Sequence, residues 1–201
     1  MNDSILDTLH KADVALSVRA GHLRDDPAVV AAAQASEITD QPPALTLAAV
    51  ATLAGLLGGR PRLAEGGLRA LAALWLATGI KSRIKSTVVR TRPSRLLDEG
   101  QYDLGVNGPD ESDYNSFPSG HTADAVAAAR AIGRVAPQAG LPMLAAAAVV
   151  GLVQVPRGKH YLADVLAGAV VGLVAEAAVD ALFGAARLPP RLRAGLRDRR
   201  G

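Results

Sequence analysis

Residues 161–184 read YLADVLAGAVVGLVAEAAVDALFG. Ala, Val, Leu and Gly fill the stretch, no proline interrupts it, and its small residues recur at spacings that let a second helix approach closely. Such a run predicts one long helix able to cross a bilayer, since about 20 apolar residues are needed. Glu176 and Asp180, deep in it, are expected to face other helices or the cytoplasmic interface.

Similar segments precede it. Residues 141–155 are apolar and are ended by PRGKHY, and residues 121–136 form an alanine-rich helix ended by PQAGLP. Residues 67–84 form an apolar helix containing Trp75, and residues 44–59 are apolar and uncharged. Residues 3–36 mix charged and apolar positions at helical spacing and are interrupted by Pro27, which predicts one or two amphipathic helices on a membrane surface or against the core. Residues 94–117 are polar and rich in turn formers, the longest loop, and such loops are usually functional or disordered. The basic stretch KSRIKSTVVRTRP is expected to continue the second apolar helix to about Arg92, because the residue before Pro93 disfavours the α region. No repeat and no strand-period segment stands out.

The fold class expected is therefore all-α: an integral membrane helical bundle of about five to six membrane helices. Its parts are an amphipathic segment (1–36), a membrane domain (37–186) and a basic tail (187–201).

Composition narrows the function. Of 201 residues, 49% are hydrophobic but only 3% aromatic, and mean hydropathy is +0.19, above the soluble norm and modest for a membrane protein. Absence of cysteine excludes disulfides and thiolate metal sites. A net charge of +3 is too small to argue for nucleic acid, and no nucleic-acid partner is expected. The first residues lack the basic start and unbroken apolar run of a signal peptide.

The placement of charge says more than its sum. If each apolar helix crosses once, Arg60 and Arg62, Arg130 and Arg134, and the tail fall on one side, which positive charge marks as cytoplasmic. The long loop, Lys85, His121 and His160 then share the outer side. The basic stretch 81–92 falls there too, against the rule, and an anionic substrate would account for it.

Three segments converge on that side. Lys85 and Arg92 are seven residues apart, two turns if helical. Ser119, Gly120 and His121 stand at a helix start, where free N–H groups bind anions. His160 and Asp164 are an i,i+4 pair. Cations and N–H groups suit a phosphate, a carboxylate-supported imidazole is a nucleophile, and a second imidazole is an acid for the leaving oxygen. Basic side chains would supply charge stabilisation, so no metal and no cofactor is expected. Lys81, Arg83 and Arg90 are read as headgroup or solvent contacts, and Asp124 as a first-turn acid favoured by the helix dipole.

KSTVVRTRP, PSGH and HYLADVLAG, in that order and separated by apolar helices, resemble the three motifs of the type 2 phosphatidic acid phosphatase family, related to bacterial acid phosphatases and vanadium haloperoxidases. The resemblance covers roughly residues 37–184. It implies a helical bundle and metal-independent hydrolysis through a phosphohistidine. By the same resemblance His160 is the nucleophile, Asp164 its orienting partner and His121 the acid. Lys85, Arg92, Ser119 and Gly120 would form the phosphate cradle. One position departs: the family usually has an Arg six residues before the third-motif His, where this chain has Gln154. Arg157, about one turn on, is the nearest replacement.

The activity expected is hydrolysis of a membrane lipid or polyprenyl phosphate or diphosphate, in a bacterial-type inner (cytoplasmic) membrane with the site on the outer, periplasmic side. The alternatives are a catalytically weakened or non-enzymatic protein on the same scaffold, which Gln154 keeps open, and a vanadate-dependent peroxidase, which the short chain and apolar helices disfavour.

Overall fold

The computed structural model of the chain describes residues 2–108 and 111–186. The basic tail lies outside the described residues. Eight α-helices, two short 3-10 helices (Glu37–Thr39 and Ser112–Tyr114) and one short hairpin form the described chain: α1 (Asn2–Gly21), α2 (Pro27–Ser36), α3 (Gln41–Leu57), α4 (Pro61–Lys85), β1 (Val88–Arg90), α5 (Pro93–Glu99), β2 (Leu104–Val106), α6 (Gly120–Val135), α7 (Pro137–Val153) and α8 (Leu162–Ala186).

The centre is α4, α6 and α8. Ala73 and Ala77, Ala123 and Ala127, and Val171, Ala175 and Val179 make its buried contact. Alanine and glycine set the spacing: a methyl group added at Gly172 would sit 2.5 Å from the carbonyl of Ala123. α3 packs on α4 through Ala48, Ala70 and Leu74, and α7 packs on α6 through Ala125, Ala129 and Ala147.

The outward faces are apolar. Trp75 on α4, Leu57 on α3, Leu141 on α7 and Leu182 on α8 are exposed, at 75%, 89%, 79% and 67%. Large apolar side chains exposed on four helices are the kind of surface that meets lipid or another protein. Two helices, α4 and α8, are long and apolar enough to cross a membrane, whereas α3 and α7 are shorter apolar helices.

Several boundaries differ from the sequence reading. α4 begins at Pro61, not residue 67, because proline's missing N–H and fixed φ suit a helix start. It ends at Lys85, not near Arg92. Ser86 Oγ and Thr87 Oγ1 bond back to the Arg83 carbonyl at 2.9 and 3.0 Å, and Thr87, Val88 and Val89 are β-branched. Both effects favour leaving the helix for extended chain. β1 pairs antiparallel with β2, Val89 opposite Gly105, so a hairpin stands where no strand was expected. α7 starts at Pro137 and contains Pro142, so PQAGLP opens a helix as well as closing one. The N-terminal region is two helices, separated at residues 22–26, with the Asp26 carboxylate capping α2 at 2.8 Å from the Ala28 N–H.

Candidate active site

Where α4 ends and α6 begins, a cavity of about 430 Å³ opens. α4 supplies Lys81, Ser82 and Lys85, and α6 supplies Gly120 and His121. The turn before α8 supplies Gln154, Arg157, Lys159 and His160, the chain between α2 and α3 supplies Glu37 and Asp40, and the first residue of α3 supplies Gln41. Arg92 completes the lining. Both motif histidines therefore face one cavity, with five cations around them.

His160 is buried. Its Nδ1 lies 2.6 Å from the Ser116 carbonyl oxygen. A carbonyl only accepts, so Nδ1 carries the hydrogen, and Nε2 is left with its lone pair for the cavity. Burial pushes the ring's pKa down to about 4, the Asp164 carboxylate opposes the shift, and Lys85 and Arg92 add to it. The ring is thus neutral at pH 7.

Asp164 stands behind this ring, not directly on it: its Oδ2 is 3.8 Å from His160 Nδ1. It accepts hydrogen bonds from Ser116 Oγ at 2.5 Å, from the Tyr161 N–H at 2.8 Å and from Arg90 Nη1 at 2.6 Å. The orienting contact expected of Asp164 therefore passes through Ser116.

His121, in the first turn of α6, has its Nε2 3.5 Å from a Glu37 carboxylate oxygen, and the same carboxylate pairs with Arg157 at 2.5 Å. Burial pushes the Glu37 carboxyl up, but Arg157 and then His121 outweigh it and hold it below the usual carboxylate range. Gln154 is fully buried. Its amide donates to Ser36 Oγ at 3.0 Å and to the Val150 carbonyl at 3.1 Å, and its oxygen accepts from Arg157 Nη1 at 3.5 Å. Gln154 thus holds Arg157 at the cavity wall. Lys85 Nζ donates to the Asn115 carbonyl at 2.9 Å.

Lys85, Arg92, Gly120, His121, Gln154, Arg157 and His160 all come together, but two spacings work differently than expected. Lys85 and Arg92 do not share a helix, because β1 separates them, and they meet by a turn of the chain. Ser119 is fully buried and is not on the cavity wall. Its Oγ accepts from Thr122 Oγ1 at 2.9 Å, its N–H donates to the Asp164 carbonyl at 3.0 Å, and it makes no side-chain cap.

Sequence reasoning missed Lys81, Arg90 and Glu37. Lys81 is no headgroup contact: it is buried, lines the cavity and pairs with Asp124. Its place four residues before Lys85 on one helix face was a usable signal. Arg90 is buried too, bridging Asp164 and Asp13. Burial works against its charge, but Asp164 and then Asp13 outweigh it and raise its pKa. At the opposite end of the bundle Glu176 takes Arg134 at 2.7 Å and Arg130 at 3.3 Å, and Asp180 takes Arg69 at 2.9 Å, so both acids do face other helices.

Residues 66–186 match the sequence pattern of the PAP2 superfamily. The chain belongs to the PAP2 superfamily. Over 83 residues it is 34% identical to a lipid A 1-phosphatase of Porphyromonas gingivalis, a stretch that is 39% of this chain and 19% of that relative's length. Two crystal structures share the PAP2 fold. Aquifex aeolicus LpxE superposes with a TM-score of 0.62 at 19% identity, covering 82% of this chain and 92% of that one. A transmembrane PAP2 type phosphatidylglycerolphosphate phosphatase from Bacillus subtilis gives 0.67 at 22% identity, covering 90% of each chain. The PAP2 match begins at Gly66, so Asp13, Ser36, Glu37 and Asp40 lie outside it.

Proposed function

We propose that this PAP2 protein is a membrane-embedded, metal-independent phosphatase acting on a lipid or polyprenyl phosphate or diphosphate through a phosphohistidine. The observation that carries the reading is the pair of histidines on one cationic cavity, with His160 held as its Nδ1–H tautomer.

In this mechanism Lys85, Arg92 and Arg157 and the free N–H groups at the start of α6 grip the phosphate oxygens. His160 Nε2 attacks phosphorus, and the bond from phosphorus to the lipid oxygen breaks. His121 gives that oxygen its proton. The phosphorylated ring is cationic, and the Ser116 carbonyl and Asp164 stabilise it. Neutral His121 then takes a proton from water, the hydroxide oxygen attacks phosphorus, and His160 leaves as the free imidazole. Arg157 supplies the charge that Gln154 lacks, since the buried Gln154 amide is engaged by Ser36 and Val150.

Apolar outward faces and a cavity at one end of the bundle support a lipid substrate, whose tail stays in the bilayer while its phosphate reaches the cations. α3, α4, α6, α7 and α8 would cross the membrane. Arg60, Arg62, Arg130 and Arg134 lie toward the end away from the cavity, which supports a periplasmic site in a bacterial inner membrane.

The test is phosphate release by detergent-solubilised protein from phosphatidate, phosphatidylglycerol phosphate and polyprenyl diphosphate. Wild type should act on at least one, His160→Ala on none, and vanadate should inhibit with chelator present. Activity abolished by chelator, or retained by His160→Ala, would overturn the reading.

A further inference from the structure

α1 lends two side chains to the start of another helix. α8 begins at Leu162, and its first N–H groups need acceptors from elsewhere. The Leu162 N–H donates to Ser17 Oγ at 3.1 Å, and the Ala163 N–H donates to Asp13 Oδ1 at 2.9 Å. The other oxygen of Asp13 accepts from Arg90 Nη2 at 2.7 Å, while Arg90 Nη1 donates to Asp164 Oδ1 at 2.6 Å. Asp164 accepts from Ser116 Oγ at 2.5 Å, and the Ser116 carbonyl accepts from His160 Nδ1 at 2.6 Å. Two further contacts fix Arg90: its guanidinium lies 3.9 Å from the centre of the Tyr161 ring, and its Nε donates to the Tyr102 hydroxyl at 3.3 Å. Its carbonyl accepts the Ser116 N–H at 3.0 Å, so main chain and side chain of Arg90 hold the same loop.

We propose that α1 is a positioning element of the active site, in which Asp13 acts through Arg90 to fix Asp164 and, through Ser116, the ring of His160. The role assigned to His160 rests on the phosphatase reading above. The charge balance gives the device a purpose. Arg90 alone would neutralise Asp164. With Asp13 added, two carboxylates share one guanidinium, and the cluster keeps one net negative charge beside a ring that becomes cationic on phosphorylation. Arg90, Asp164, Ser116 and His160 are all buried, so water does little to screen these contacts.

The experiment compares Asp13→Asn and Asp13→Glu with Asp98→Asn in solubilised full-length protein. Asp98 pairs with Arg24 at 2.7 Å and also ties the N-terminal region to the rest, but it is exposed and has no link to His160. Asp13→Asn should lower kcat by about 10- to 100-fold with KM changed less than about twofold, and Asp13→Glu should recover part of the loss. Asp98→Asn should leave kcat unchanged. Nitrogen-15 NMR of histidine-labelled protein reads the ring without any turnover. The His160 Nδ1–H signal should be sharp in wild type and should broaden or exchange faster in Asp13→Asn. Unchanged kcat together with an unchanged His160 signal in Asp13→Asn, or losses in Asp98→Asn that equal those in Asp13→Asn, would overturn the inference. If wild type hydrolyses nothing, the phosphatase reading fails, and the NMR comparison alone decides the positioning of His160. Should Asp13→Asn fail to fold, Asp13→Glu against Asp98→Asn carries the same comparison, with kcat and the His160 signal expected to change in Asp13→Glu alone and an unchanged pair of readings in Asp13→Glu overturning the inference.

Discussion

His160 is neutral because it is buried, and burial is also what makes acid harmful to it. Its pKa in the folded chain is about 4, against an ordinary value of 6.5. Between those values the unfolded chain binds a proton that the folded chain does not, so stability falls as pH drops from 6.5 toward 4. The thermal midpoint in detergent should decline over that window in wild type and decline less in His160→Gln. Two neighbouring residues make opposite predictions. Arg157→Gln removes the guanidinium that Gln154 holds at the cavity wall and should lower kcat/KM by about 10²- to 10³-fold. Glu37→Gln removes an internal anion that competes with phosphate for Arg157, so vanadate should inhibit several-fold more tightly. Weaker vanadate inhibition in Glu37→Gln would mean that Glu37 assembles the cavity and does not compete for it. Most of this site was legible from KSTVVRTRP, PSGH and HYLADVLAG, because the spacing of chemistry-bearing residues survives in sequence. Glu37, Asp13 and Arg90 were not, since their value comes from contacts between distant segments: Arg90 meets Asp13 and Asp164 only after the chain has folded.

At the scale of elements, α8 could be read from its composition, and its helical neighbours follow the same logic. The Lys85–Arg92 stretch could not. A helix and an extended β-branched run both fit a short basic segment, and the hairpin partner, Val106 opposite Val88, lies in a loop with no strand period of its own. The helix spacing is set by residues that look unremarkable in sequence. Gly172 faces the Ala123 carbonyl and Val126, so Gly172→Val should push α8 from α6 and destabilise the fold by about 1–3 kcal/mol. Size-exclusion chromatography of heated, solubilised protein checks this: aggregation should begin at lower temperature than in wild type, and an unchanged profile would mean the interface yields more easily than its contacts imply.

For the whole molecule, one end holds the cationic cavity and the other holds ion pairs among Arg69, Arg134, Glu176 and Asp180. Apolar helix faces connect the two ends. Such a body suits a bilayer, with chemistry at one interface and clustered arginines at the other. Because the chain has no cysteine, single cysteines report orientation without background. In intact bacterial cells, Gln101→Cys near the cavity end should react with a membrane-impermeant maleimide and Arg60→Cys should not. The reverse pattern would invert the proposed orientation and leave the chemistry standing.

The chemistry itself is tested most directly by trapping the covalent intermediate. Substrate labelled with phosphorus-32 at the scissile phosphate is mixed with enzyme, quenched in alkali within milliseconds, and the labelled peptide is sequenced. The label should be acid-labile, sit on His160 and be absent from His160→Ala. Label on another residue, or turnover with no protein-bound phosphate at any quench time, would contradict the account.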